Sequence, residues 1–453
     1  MAALKARTAL VAAIEPAVAL YEEPPTRPFD VATPWADLRL TREDWAEAFA
    51  APEPGTPHNE ARAQVWDAIV GVLADQLAEH LGDGDGGLDD GGDDAETPEV
   101  PRAALERVLQ GDAELRDTLA RAWPLLEAED LVGDLWTVPA YLERCAPSLT
   151  PAEIAALQRP DPHSWTTADL PLLDAARRRL GDRDAERRRR AREAATAADR
   201  DYRARVTEEL VASDDSEMMI MSMLRVEDLR SSLDGDADDT DGHHPRGDEL
   251  AGPFAHVVVD EAQELTDAEW SMILARCPTR SLTIVGDRAQ ARHGFDGTWH
   301  ERLARVGLTR VREATLRVNY RTPSEVMAQA APVIRAVLPD ANVPTSVRES
   351  GVPVRFGQVA ELGGVLQAWF AGRPDGVACV IASGGAGAAG TALALPDGVD
   401  DSRVSVLTPE LAKGLEFDLV VLVGDGDDGA TSAVDRYVAM TRATQELVVL
   451  ADA

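Results

Sequence analysis

At about 100–200 residues per domain, the 453 residues allow two to four domains, and the 45% apolar and 28% charged content excludes wholesale disorder. Eighty acidic against 45 basic residues give a net charge of −35, which excludes generic coating of nucleic acid unless a local basic groove exists. Cys145, Cys277 and Cys379 stand far apart with no CxxC, which excludes a disulfide framework or a cysteine-rich zinc site.

Residues 1–80 read as helices split by proline-rich connectors, Pro24, Pro25, Pro28 and Pro34, then Pro52, Pro54 and Pro57. The run Met1–Leu20 is interrupted by Glu15 and Pro16 and lacks a positively charged leader. No stretch reaches the roughly 18 consecutive apolar residues of a membrane span, so the reading is a soluble, cytoplasmic protein with no membrane partner. Val65, Ile69, Leu73 and Leu77 recur every four residues and predict a helix from His58 to Leu81. Gly82–Glu96 is acidic and low in complexity, a solvated loop. Residues 100–212 read as helical again. Ala176–Arg205 is strongly basic but interleaved with Asp and Glu, which favours one long exposed helix with i,i+4 pairs over a nucleic-acid arm. Met218, Met219, Met221 and Met223 read as a packed helix face. In the acidic linker Asp234–Glu249, His243 and His244 lack the further partners a metal would need.

After Gly252 short β-branched runs alternate with helical patterns. They are HVVVD (256–260), SLTIVGD (281–287), TLRVNY (315–320), VPVRFG (352–357), GVACVIA (376–382), RVSVLT (403–408), DLVVLVG (418–424) and ELVVLAD (446–452). Near-continuous apolar strands suit a parallel sheet covered on both faces, and the βαβα order makes the class α/β with a doubly wound sheet.

Asp260 and Glu261 end the first of these strands, where α/β sheets bind ligands. One carboxylate there can hold Mg²⁺ while its neighbour polarises a water, although a strand-end Asp also commonly caps the next helix. In VGDRAQ a loop delivers Gln290, whose amide can hydrogen-bond a terminal phosphate. LRVNYRTP supplies Tyr320 for stacking and Arg321 for phosphate. TPELAKGLEFD (408–418) carries Lys413, and YVAMTRA (437–443) carries Arg442 near a helix end. The nine tryptophans read as packing anchors rather than base-stacking platforms. Lys5 and Lys413 are the only lysines, and neither fits G-x-x-x-x-G-K-[ST], so the chain contains no Walker A loop.

In this order DEAQ, VGDRAQ, NYRTP, KGLEFD and YVAMTRA resemble motifs II to VI of superfamily 1 helicases of the UvrD/Rep/PcrA type. The resemblance implies two RecA-like P-loop NTPase lobes, the first incomplete, with ATP between them and a large helical insertion. Asp260 would hold Mg²⁺ and Glu261 would be the catalytic base. Gln290 would sense the γ-phosphate, and Arg321 and Arg442 would be arginine fingers. Tyr320 would stack on adenine and Glu416 would contact the ribose, with Thr408 and Gly414 beside the nucleotide. The implied domains are an N-terminal segment of the first lobe (1–99), a helical arm (100–215), the second half of the first lobe (216–312) and the second lobe (313–453).

Three features depart from UvrD itself. Walker A is missing. Only about 80 residues separate Pro323 from Arg403, too few for an extra second-lobe domain. His293 and Phe295 stand where the DNA translocases carry tyrosine and tryptophan. The chain is more similar to the actinobacterial HelD/HelR motors, including WTTADLPLLDAARRRLGD (165–182), EMMIMSMLRVEDL (217–229) and HVVVDEAQELTDAEW (256–270). That resemblance implies RNA polymerase as the partner, with DNA or RNA displaced from its channels, and an acidic protein suits basic channels. It also implies a P-loop upstream of Met1, so a truncated chain is expected rather than a natural pseudo-motor. Without a P-loop, hydrolysis should be lost, because phosphoryl transfer depends on positioning and electrostatics. The alternatives are an ATP-dependent 3′–5′ DNA helicase in repair and a non-catalytic RNA polymerase binding factor.

Overall fold

The computed structural model describes residues 1–83, 100–184, 250–292, 294–295, 297–382, 401–424 and 430–451, with isolated positions between 188 and 205. Most of the acidic loop 82–96, the methionines 218–223, His243, His244, His293 and nearly all of the basic run beyond 184 lie outside the described residues. The chain forms two compact units, one from Met1–Pro253 with Thr266–Arg276, the other from Phe254–Leu265 with Cys277–Ala453.

The first unit is mainly helical and has two cores. In one, Leu10, Ile14 and Val18 pack with Leu135, Trp136, Leu142, Leu172 and Leu180. Helices Ala128–Thr137, Pro139–Cys145, Pro151–Leu157 and Leu170–Leu180 carry these later residues. In the other core, helix His58–Asp83 buries Val65, Ile69, Leu73 and Leu77 on one face, as their spacing predicts. That face meets Trp45, Leu105, Leu115 and Trp123.

The N-terminal region is not wholly helical. Strands β1 (Phe29–Ala32) and β2 (Asp37–Leu40) pair antiparallel and place Val31, Leu38 and Leu40 in the second core. The hydroxyl of Thr33 closes their loop by donating to the Ala36 carbonyl and accepting from the Ala36 amide. The long basic helix expected over 176–205 is also interrupted. Helix Leu170–Leu180 stops at Gly181, which holds φ +69° and ψ −163°, a conformation that only glycine adopts readily.

Buried polar groups tie the unit together. His58 bridges Glu22 and the Pro124 carbonyl, and its ring stacks on Trp123 at 5.0 Å. Asn59 donates to the carbonyls of Leu126 and Gly181 and accepts from the Leu126 amide. Lys5 forms a buried ion pair with Asp169 at 2.6 Å and lies over Trp136.

The second unit is built on a five-stranded, wholly parallel sheet. Two short parallel pairs lie in the same unit, β3 (Val257–Val259) with β4 (Leu282–Ile284) and β5 (Val318–Asn319) with β6 (Thr345–Ser346). The main sheet uses β7 (Arg355–Gln358), β8 (Ala378–Ala382), β9 (Val404–Leu407), β10 (Phe417–Val423) and β11 (Ala443–Ala451), in the order β7-β11-β10-β8-β9. Alternate residues of β8 and β10 face opposite sides. Cys379, Ile381, Val420 and Leu422 meet helices Ser324–Val337 and Ala430–Thr441. Ala378, Val380, Leu419 and Val421 meet helix Leu362–Ala371. Helices on both faces of a parallel sheet are the α/β layering that the apolar runs predict.

All three cysteines are buried and free. Trp45, Trp136 and Trp270 are fully buried, consistent with their reading as packing anchors. Among the described residues, no helix is long and apolar enough to cross a membrane.

Candidate functional site

Strands β3 and β4 deliver two acidic turns side by side. After β3 the chain bends at Glu261, a non-glycine residue with φ +52°. The Glu261 amide donates to Asp260 Oδ1 at 2.8 Å, and a 3₁₀ turn follows over Ala262–Glu264. After β4, Asp287 caps the 3₁₀ turn Arg288–Gln290 by accepting from the Ala289 amide at 2.9 Å. Gln263 joins the two turns. Its Nε2 donates to Glu261 Oε2 at 2.7 Å, and its Oε1 accepts from the Asp287 amide at 3.0 Å.

The turn after β9 reaches this cluster, with Lys413 standing 123 positions after Gln290 and 149 after Glu264. Gly414 at φ +78° shapes it, and the Ala412 amide donates to the Thr408 carbonyl. Lys413 Nζ then lies 2.9 Å from Glu261 Oε2 and 2.7 Å from Glu264 Oε1. Gln290 is the other hub. Its Nε2 donates to Asp287 Oδ2 at 2.9 Å, and its Oε1 accepts from Arg442 at 3.3 Å. Arg442 is buried and also donates to the Val438 carbonyl within its own helix.

Of the residues singled out in the sequence, Asp260, Glu261, Gln290 and Arg442 therefore fall in one hydrogen-bonded network. Arg321 pairs with Glu416 at 2.7 Å, and Asn319 Oδ1 accepts from the Arg321 and Thr322 amides to hold that turn. Tyr320 is 75% exposed, with its ring open to solvent. Thr408 and Gly414 act within the structure as turn residues, with Thr408 Oγ1 accepting from the Leu411 amide.

Several members of the network carry no individual signal in the sequence. Gln263 and Asp287 lie inside quoted motifs, but their bridge is invisible there. Lys413 stands out as the sole interior lysine, yet its carboxylate partners are about 150 residues away. Arg292 binds Asp435 at 2.9 Å and Glu410 at 3.1 Å, contacts that no local pattern announces.

Burial sets the electrostatics. It pushes the Asp287 carboxyl above the usual carboxylate range, and the Glu261 charge pushes the same way; hydrogen bonds from Gln290 and Ala289 and the Lys413 charge only partly offset this. Burial also pulls the Arg442 guanidinium below its ordinary value, helped by Arg321 and opposed by Glu261 and Glu416. A raised carboxyl stabilises the fold below the ordinary carboxylate value, and that contribution fades as pH rises through the raised one. Asp287→Asn cannot ionise, so its unfolding midpoint in urea should gain on the wild type as pH rises from below the ordinary carboxylate value to neutrality. An equal difference at both ends of that range would contradict this account.

Asp260 is exposed, and one carboxylate oxygen is engaged by the Glu261 amide. Among the described residues no three His, Cys, Asp or Glu side chains form a metal cage. The donor set suits Mg²⁺, which commonly takes one or two carboxylates and completes its shell with water and phosphate oxygens.

No family model matches the chain, and no curated protein matches it. The chain is similar to the solved PRRSV helicase, with 19% identity, 43% of this chain and 34% of that chain covered, and a TM-score of 0.26. It is also similar to arterivirus nonstructural protein 10, a helicase, in its complex with DNA, at 21% identity, 43% and 39% coverage and a TM-score of 0.24. A further arterivirus nonstructural protein 10 structure matches at 20% identity, 43% and 38% coverage, and a TM-score of 0.24. The match spans between a third and two-fifths of those helicases' length. At TM-scores this low the likeness assigns neither family nor chemistry to this chain.

Proposed function

We propose that the chain is the motor portion of a superfamily 1 helicase-type ATPase with RecA-like lobes, which binds RNA polymerase and displaces nucleic acid from it. One observation carries this reading. Side chains from four separate motifs, Glu261, Gln290, Lys413 and Arg442, meet in one network although they are spread over 182 positions. When bound, ATP with Mg²⁺ would supply the phosphoryl group and the charge that these residues are arranged to meet.

In this reading Asp260 holds the metal and Glu261 takes a proton from the attacking water. Gln290 stands between an acid and a guanidinium, so its amide can register a change at either end. Arg442 and Arg321 supply positive charge where it builds up during transfer. The Arg321 guanidinium pairs at 2.7 Å with Glu416, which would contact the ribose in this reading. Tyr320 offers an exposed ring for an adenine base.

In a protein supplied with a P-loop, Glu261→Gln should bind a fluorescent ATP analogue within about twofold of the parent and lose at least about a hundredfold in turnover. Unchanged turnover removes the base role. A second reading is a polymerase-binding factor that does not hydrolyse ATP. It is favoured by Lys413, whose ammonium stands 2.9 Å from Oε2 of Glu261, the carboxylate that the first reading needs as its base. Retention of purified RNA polymerase by the 453-residue chain, with or without ATP, would select that reading.

A further inference from the structure

We propose that Trp299 is a positioning residue for this site, a wedge that holds the Gln263 carboxamide and, through it, the Glu261 carboxylate. This inference rests on the reading above for the role of Glu261, but its geometry stands alone.

The observation starts at Gly286. A methyl group there would lie 2.7 Å from Trp299 Cη2 and Cζ2 and 2.9 Å from Gln263 Oε1. Carbon atoms in contact sit about 3.5–4.0 Å apart, so no side chain fits. Gly286 has no positive φ, so space rather than backbone conformation requires glycine there. Trp299 and Gln263 thus converge on one point above the end of β4. Gln263 is only 3% exposed. Its carboxamide can face only one way, because Oε1 must accept from the Asp287 amide and Nε2 must donate to Glu261.

The wedge is braced from behind. Thr298 and Glu301 form a capping box that fixes the start of helix Trp299–Arg305. Phe295 meets the Trp299 ring edge-on at 4.6 Å. Arg302, nearly buried, lies over Phe295 at 4.7 Å and donates to the Leu265 carbonyl, at the far end of the first acidic turn. Arg288 adds a second guanidinium at 5.5 Å from the Phe295 ring, and Asp340 anchors it. One short helix therefore reaches both acidic turns, and its Trp299 ring and the Gln263 carboxamide close on the same point above Gly286.

The test is a size swap in the 453-residue chain. With ¹⁵N-glutamine labelling, the Gln263 side-chain amide is identified by its loss in Gln263→Asn. Gly286→Ala pushes the ring away and Trp299→Phe leaves a gap, so each should move that signal toward the position of a free amide and speed its hydrogen exchange about tenfold. Combining the two restores the volume, so the double variant should return the signal toward wild type. Displacement in the single variants and recovery in the double ties the Gln263 amide to the space that Gly286 and Trp299 share. An unmoved signal in both single variants, or a double variant no better than either, overturns the proposal. If Gly286→Ala does not fold, the milder Trp299→Phe still decides by whether the signal moves. Failure of the Glu261→Gln turnover test would instead strike the functional reading and leave this result untouched.

Discussion

Asp169→Ala should lower the unfolding free energy by about 3–5 kcal/mol, the usual cost of stranding a buried charge. Asp169 is fully buried and faces Lys5 at 2.6 Å, with Arg159 at 3.4 Å and the Thr166 amide and hydroxyl on its other oxygen. The alanine variant loses both charge partners and the cap of the turn before helix Leu170–Leu180. Lys5→Met should cost less. Asp169 would keep Arg159 and Thr166, whereas Lys5 without Asp169 keeps the face of Trp136. Burial alone would raise the Asp169 carboxyl, but hydrogen bonds from Lys5 and Thr166 outweigh it and hold the group below its ordinary value. A lowered carboxyl stabilises the fold above the unfolded value, and that stability is lost as pH falls through the lowered one. The gap between wild type and Asp169→Ala in urea should therefore be widest near neutrality and shrink in acid. A gap that grows on acidification, or Lys5→Met costing more than Asp169→Ala, would refute the arrangement.

Gly181→Ala should be nearly as damaging. Its backbone conformation costs other residues about 1–3 kcal/mol, and overpacking adds about 1–3 kcal/mol. The added methyl would lie 2.5 Å from Pro57 Cβ and 2.6 Å from Glu60 Oε1. Pro57 and Glu60 bracket the Asn59 clamp, so the clash falls on the joint between the two cores of the first unit. Urea unfolding followed by tryptophan fluorescence should show a loss of about 2–6 kcal/mol, and a loss under about 1 kcal/mol would show that the helix end tolerates a side chain.

The parallel strands were legible because strands covered on both faces need little polar content. Val420 and Val421 point to opposite sides of the sheet and are both fully buried, so β10 reads as one apolar run. Helix His58–Asp83 was legible by its four-residue spacing. The hairpin was not. Its strands are four residues long and half-exposed, and the surrounding prolines suggest connectors between helices. The stop at Gly181 was hidden by strongly helical composition on both sides of a single glycine. At the site, the local chemistry of Asp260, Glu261 and Gln290 was readable from their motifs. Their mutual bridges were not, because Gln263 must reach Asp287 and Lys413 must reach Glu261 across folds in the chain. Trp299 lies outside every quoted motif, and its meaning depends on the space above Gly286.

The three cysteines turn this burial into a clock. Cys145 belongs to the first unit, while Cys277 and Cys379 belong to the second. Burial pushes the Cys379 thiol up to about 12, and it raises Cys145 as well, so little thiolate is available while the fold is closed. An alkylating reagent must wait for local opening before it reacts. The modification rate at each position, compared with that of an unfolded peptide, yields the opening free energy of its own neighbourhood. Peptide mapping after timed alkylation would thus report the two units separately, with the natural sequence and no introduced probe.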